Sequence, residues 1–177
     1  MKRLAILVLV SFSILIFFCS CQKATQGTRW TEQEINQWYA QQEWPVGMNY
    51  NPRTAINQIE MWQAESFDPK TIDQELGWAE ELGFNTARVY LHNLVYQNDP
   101  EGYIKRIEKF LTIADKHGIR PMFVFFDAVW NPESSLGDQP DPKPRVHNSG
   151  WVQCPNKENL KDTSNYDQLK KYVQGIA

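Results

Sequence analysis

The chain has 177 residues, with 21 acidic side chains against 18 basic ones and a formal net charge of −3. No basic cluster occurs beyond Lys2 and Arg3, so there is no electrostatic footprint for a polyanion, and nucleic acid is not an expected partner. Aromatic residues make up 13% of the chain and include seven tryptophans, more than a core of this size needs, which leaves aromatic surface to stack on planar or sugar-like ligands.

The first segment carries Lys2 and Arg3, an apolar run from Leu4 to Phe18, and the small-residue stretch Cys19-Ser20-Cys21. This is the three-part pattern of an export signal. The run is shorter than the roughly 20 residues a membrane-spanning helix needs. Ser20 before Cys21 fits a lipoprotein cleavage box, with Cys21 taking the lipid. Phe18 stands where an aliphatic residue is usual, which keeps a plain signal peptide or an uncleaved anchor as alternatives. All of these export the chain. The expected location is the bacterial cell envelope, at the outer membrane or cell surface, with the membrane met only through the lipid. Cys154 is then the one thiol of the mature chain, so no internal disulfide is expected. No Cys-His signature surrounds it, and it reads as a small residue without a chemical role.

Residues 22–44 are polar and Gln-rich, with Trp30, Trp38 and Trp44, and read as a tether followed by a short helix from Thr31 to Gln41. Thr31 and Glu34 are spaced for a capping box. Trp44 to Tyr50 predicts a first strand, entered after Pro45 and broken by Asn51-Pro52.

A unit then repeats. Asp68-Pro69 supplies an N-cap and a proline at the first helical position; Ile72, Leu76, Ala79 and Leu82 recur at helical spacing; Gly83 ends the helix. Phe84 to Leu91 predicts a strand, with the few charges expected when both faces are covered. Asp99-Pro100 restarts the cycle, with Ile104, Ile107, Leu111 and Ala114 on one face, His117 near the negative end of the helix dipole, and Gly118 as the stop. Ile119 to Phe126 is the next strand. Successive units of this size build parallel sheets, either doubly wound or closed as eight-stranded barrels, and periodicity does not choose between them. Asn51-Pro52-Arg53-Thr54 lacks the glycines of a phosphate loop, which favours the barrel over a dinucleotide fold. Residues 127–161 are dense in Pro, Asn, Asp and Gly, far longer than an ordinary connection, and such loops are usually functional. A last helix runs from Tyr166 to Ile176, with Leu169, Tyr172, Val173 and Ile176 on one face. The expected fold is therefore α/β, the N-terminal part of a (β/α)8 barrel with about three units, spanning residues 45–177.

In such a barrel ligands sit at the C-terminal ends of the strands. The first loop offers Asn49, Asn51, Glu60 and Trp62; the second His92 and Asn93; the third Asp127, Trp130, Asn131, His147 and Trp151. Indole faces stack on the apolar faces of sugar rings, and Asn, Asp and His bond to hydroxyls. Asn49, Trp62, His92, Asp127, Trp130, Asn131, His147 and Trp151 are the candidate substrate-binding residues. Arg88 lies inside an apolar strand, where a guanidinium needs a carboxylate or a wet cavity. It either reaches solvent at a strand end or points into the barrel mouth. Glu60, Asp127 and Glu133 are loop carboxylates of the kind that are usually only solvated, and His92, Asp127 and His147 form a weak metal-site alternative without tight spacing. No cofactor or metal is expected.

The run Gly83-Phe84-Asn85-Thr86-Ala87-Arg88-Val89, then Ala114-Asp115-Lys116-His117-Gly118-Ile119 and Pro121-Met122-Phe123-Val124, resembles the start of cellulase-like glycoside hydrolases. These are the family 5 type of the retaining clan, nearest to lipoprotein members labelled 1,4-beta-xylanase. The resemblance covers residues 45–177, and the Asn-x-x-Arg pattern of Asn85 and Arg88 is its most specific motif. It implies two glutamates about 5 Å apart, an acid/base and a nucleophile, following strands four and seven. Neither maps onto a residue here. Arg88 carries over in a supporting role beside the nucleophile, while Phe126-Asp127 stands where such enzymes often have a histidine. The resemblance therefore implies a β-1,4-linked glycan, of xylan, mannan or glucan type, as partner, and a truncated chain that is inactive alone. The alternative is a non-catalytic glycan-binding lipoprotein presenting Trp62, Trp130 and Trp151.

Overall fold

The computed structural model describes residues 29–177. The expected export leader and the expected lipidation site Cys21 lie outside the described residues. The chain divides into two units, residues 1–43 and residues 44–177. Within the first, helix α1 (Glu32–Ala40) starts at the expected capping box: Thr31 Oγ1 accepts from the Glu34 amide, and the Glu34 carboxylate accepts from the Thr31 amide. None of its residues is buried, and Trp30 packs edge-on against Trp38 at 5.9 Å. No helix among the described residues is long and apolar enough to cross a membrane.

The second unit is built on three parallel strands, β1 (Gly47–Tyr50), β2 (Thr86–Tyr90) and β3 (Arg120–Val124), hydrogen-bonded in the order β1-β2-β3. Helices α2 (Gln58–Trp62) and α3 (Pro69–Glu81) connect β1 to β2; α4 (Asn93–Asn98) and α5 (Pro100–Lys116) connect β2 to β3. After a long segment come α6 (Lys157–Lys161), one 3-10 turn and α7 (Tyr166–Ile176). Both repeat caps form as the sequence predicts. Asp68 accepts from Thr71 and Asp99 from Gly102, each before a proline that has no amide to leave unpaired. Gly83 and Gly118 terminate α3 and α5 at φ +81 and +65, the left-handed region that ends helices without a Cβ clash.

Side-chain alternation splits the sheet into two unlike faces. Tyr50, Ala87 and Val89 are buried against the helices, in a core with Ile72, Leu76 and Ala79 of α3 and Ile107 and Ala114 of α5. The opposite face is open. Asn49, Arg88 and Met122 stand in register across all three strands there, and all are exposed. Among the described residues nothing covers the strands on this side, in keeping with about three units of a barrel. Two details of helix phase also differ. Leu82 is 75% exposed, because it is the C-cap residue beyond the last full turn. The buried face of α5 uses Tyr103, Phe110 and Ile113 rather than Ile104 and Leu111. Ile107 and Ala114 satisfy either phase, and the larger aromatic area of Tyr103 and Phe110 decides it by packing on Trp62.

The long segment after β3 is not an open loop. It returns to the strand ends through an antiparallel bridge between Asp127 and Cys154 and a parallel one between Asn131 and Val152. The Asp127 amide donates to Cys154 O at 2.6 Å and the Cys154 amide to Asp127 O at 2.8 Å.

Candidate functional site

A cleft of about 640 Å³ opens at the C-terminal ends of β1 and β2. Its lining combines the end of β1 (Asn49, Asn51), Tyr90 at the end of β2, Glu60 of α2, and Asp127, Trp130 and Trp151 from the returning segment. The side chains form a continuous polar and aromatic array. Arg88 Nε donates to Asn49 Oδ1 at 2.7 Å, and its guanidinium lies 5.3 Å from the Tyr90 ring centre. Tyr90 contacts Trp151 at 6.0 Å, Trp151 meets Trp130 edge-to-face at 5.1 Å, and Trp130 meets His147 at 6.3 Å.

Trp130 is oriented by Asp127, whose Oδ2 accepts from the indole Nε1 at 2.8 Å while Oδ1 accepts from the Val129 amide. Glu60 Oε2 accepts from the Ile56 amide at 2.6 Å. Both cleft carboxylates thus accept from structural donors, which orients the wall. Arg88 is exposed on the open sheet face, with an amide oxygen and an aromatic ring as partners in place of the carboxylate its charge calls for. It reaches solvent from the middle of β2, has no carboxylate beside it among the described residues and is not among the residues that line the cleft.

Asn49, Asp127, Trp130 and Trp151 are brought together as expected. His147 reaches the array only by edge contact with Trp130, and Asn131 spends its side-chain oxygen on the Glu133 amide. Trp62 and His92 are elsewhere. Trp62 has 0% exposure, surrounded by Phe67, Tyr103, Phe110 and Phe123, with Nε1 donating to Tyr90 O at 2.8 Å, so it has no face to offer a sugar. It sits on a short helix that turns it inward, where the sequence suggested a loop. His92 is also fully buried and caps α4: Nδ1 accepts from the Leu94 amide, which leaves the hydrogen on Nε2, donated to Gln153 O at 3.0 Å. Burial depresses its pKa to about 4 against the weaker opposing effect of the Gln153 bond, and the ring stays neutral.

The metal alternative loses its geometry with this, since His92 lies under the segment that carries Asp127 and His147 stands outside on Trp130. Among the described residues no group of three or more His, Cys, Asp and Glu side chains is placed to hold a metal ion. Glu133 pairs with Lys157 at 3.0 Å, outside the cleft lining. Cys154 is buried, with its thiol pushed up to about 12 by loss of solvent, consistent with a small packed residue.

Tyr90 is the main cleft residue absent from the sequence reading. Its signal was present in the alternation of β2, where Thr86, Arg88 and Tyr90 share one face and Tyr90 stands at the C-terminal end of the strand.

No family model matches the chain, and no curated protein matches it. Among solved structures, it is similar to an exo-beta-1,4-mannosidase from Opitutaceae bacterium strain TAV5, with 22% identity and a TM-score of 0.47 over 73% of this chain. The matched part is 21% of that protein, so this chain spans about a fifth of its length.

Proposed function

We propose that residues 44–177 form the sugar-binding opening part of an exported, lipid-anchored protein of the retaining glycoside hydrolase type, acting on a β-1,4-linked glycan. The observation that carries this reading is the array of Asn49, Tyr90, Trp151 and Trp130 along a cleft at the C-terminal ends of parallel strands, with Arg88 bonded to Asn49. Flat aromatic faces beside amide, carboxylate and guanidinium groups suit a pyranose, whose CH faces are apolar and whose edge is hydroxyl. Parallel βα units place ligands at this end of the sheet.

This chain's own contribution is binding, without bond cleavage. Neither glutamate of the resembled enzymes maps onto this chain, and the cleft carboxylates Glu60 and Asp127 serve as acceptors for protein donors, which supports the second reading of a non-catalytic glycan-binding lipoprotein. Isothermal titration of the full chain with xylo-, manno- and cello-oligosaccharides, beside a reducing-sugar assay on the matching polysaccharides, tests both points. Saturable binding to one β-1,4 series that Trp151→Ala abolishes, with no release of reducing ends, is expected. Failure to bind any series refutes the reading, and retaining hydrolysis by the pure chain refutes the assignment of binding alone.

A further inference from the structure

The residues flanking Trp151 are held by side chains of another element. Asn57, the N-cap of α2, donates from Nδ2 to Gly150 O at 2.9 Å, and Gln58 donates from Nε2 to Val152 O at 2.7 Å. These carbonyls belong to the residues immediately before and after the tryptophan. Both amides are buried, with exposures of 1% and 7%, and Asn57 Oδ1 at the same time accepts from the Ile59 and Glu60 amides. A third carboxamide, Gln63, forms a two-way pair with Gly137, donating to its carbonyl and accepting from its amide at 2.6 Å. Gly150 must be small for this seat to close, because a Cβ there would lie 2.5 Å from Ile56 Cγ2.

We infer that Asn57 and Gln58 are positioning residues that set the aromatic wall of the cleft, by fixing the backbone on both sides of Trp151 to the first turn of α2. Isolated bridges at Asp127–Cys154 and Asn131–Val152 tie this long Pro-rich segment back, but no continuous ladder holds its shape. A pair of buried amides supplies that rigidity, since each bond, once broken, leaves a carbonyl unsatisfied in a site closed to water. The Trp130–Trp151 edge-to-face contact then follows from the seat of Trp151 and the Asp127–Trp130 bond. The consequence for glycan affinity rests on the proposed function; the geometry of the wall does not.

Asn57→Asp is the discriminating variant, because it keeps the oxygen that caps α2 and replaces the Nδ2 donor that serves Gly150 O and the Gln139 side chain. Gln58→Met removes the other donor at similar volume and stands as a second variant. In the full chain, the two indoles 5.1 Å apart contribute an exciton couplet to the circular dichroism, isolated by difference against Trp130→Phe. Both variants are expected to lose that couplet while remaining folded, and to bind the β-1,4 oligosaccharide at least about tenfold more weakly. Retention of the couplet in a folded Asn57→Asp or Gln58→Met protein overturns the inference, even if affinity falls. Loss of the couplet in a protein whose wild type binds no glycan upholds the positioning role and refutes the proposed function alone.

Discussion

Replacing Trp62 with alanine separates a core role from a binding role. The side chain is fully buried among four aromatic rings at 5.5 to 6.4 Å and donates its indole hydrogen to Tyr90 O. A tryptophan of this kind buries about 150–250 Å² of side chain, and at about 25 cal/mol per Å² its removal forfeits roughly 4–6 kcal/mol. Large-to-small core replacements of aromatic residues cost about 3–5 kcal/mol in practice, so about 4 kcal/mol is the working figure. A small domain loses about 1–3 kcal/mol per molar urea, which makes this a drop of about 2 M in the unfolding midpoint. The variant is expected to be barely folded, because whole domains hold only about 5–15 kcal/mol. Trp62→Phe keeps most of the apolar contact and is expected to lose only about 1–2 kcal/mol, chiefly the indole bond and part of the packing. Urea titration followed by far-ultraviolet circular dichroism reads both without depending on the fluorescence of the deleted residue. A midpoint for Trp62→Ala within about 0.5 M of wild type would refute the core assignment. Were it accompanied by lost glycan affinity, the loop-platform role would be restored.

Two further outcomes follow from the same geometry. Asp127→Ala removes the acceptor that orients Trp130, and is expected to weaken oligosaccharide binding about tenfold while changing stability by less than about 1 kcal/mol, checked by titration calorimetry and urea unfolding. The two buried or partly buried histidines act on stability in opposite directions. His92 is held neutral, so the unfolded chain binds more protons between about pH 6.5 and 4, and stability falls by about 3 kcal/mol as pH drops through that window. For His117, burial disfavours the charged ring, but its bonds to Glu80 and Asp73 outweigh this and raise its pKa; its contribution is full below about pH 6.5 and is lost as pH rises through the raised value. The stability profile is therefore expected to lose its high-pH decline in His117→Gln. An unchanged decline there would refute the bridging role of His117 between α3 and α5.

The repeat was legible because its signals are local. Asp68-Pro69 and Asp99-Pro100 caps and the Gly83 and Gly118 stops depend on a few adjacent residues, and each forms where the sequence places it. The short helices α2, α4 and α6 were not legible. They hold five or six residues, too few for periodicity, and are begun by Asn57, His92 and Asn156, side chains that read equally well as polar loop ligands. This one ambiguity misplaced both Trp62 and His92. Within the site, Trp130, Trp151, Asp127 and Asn49 were found by residue type and strand-end position. The carboxamides that hold the wall were not, since an Asn-Gln pair in sequence carries no sign of the carbonyls more than ninety residues away that it binds.

Stability and recognition are divided by parity along β2. Ala87 and Val89 face the helices and are buried, while Arg88 and Tyr90, one residue out of phase, face the open side and join the cleft array. The same pleat therefore carries the packing that supports the fold on one side and the proposed ligand surface on the other. Parallel sheets ordinarily have both faces covered. Among the described residues the central row of the uncovered face is not apolar throughout: Arg88 donates to Asn49 beside the exposed Met122. A guanidinium seated over Tyr90 and tied to Asn49 keeps that surface polar, so the residue that looked misplaced in an apolar strand links the strand face to the aromatic array of the proposed site.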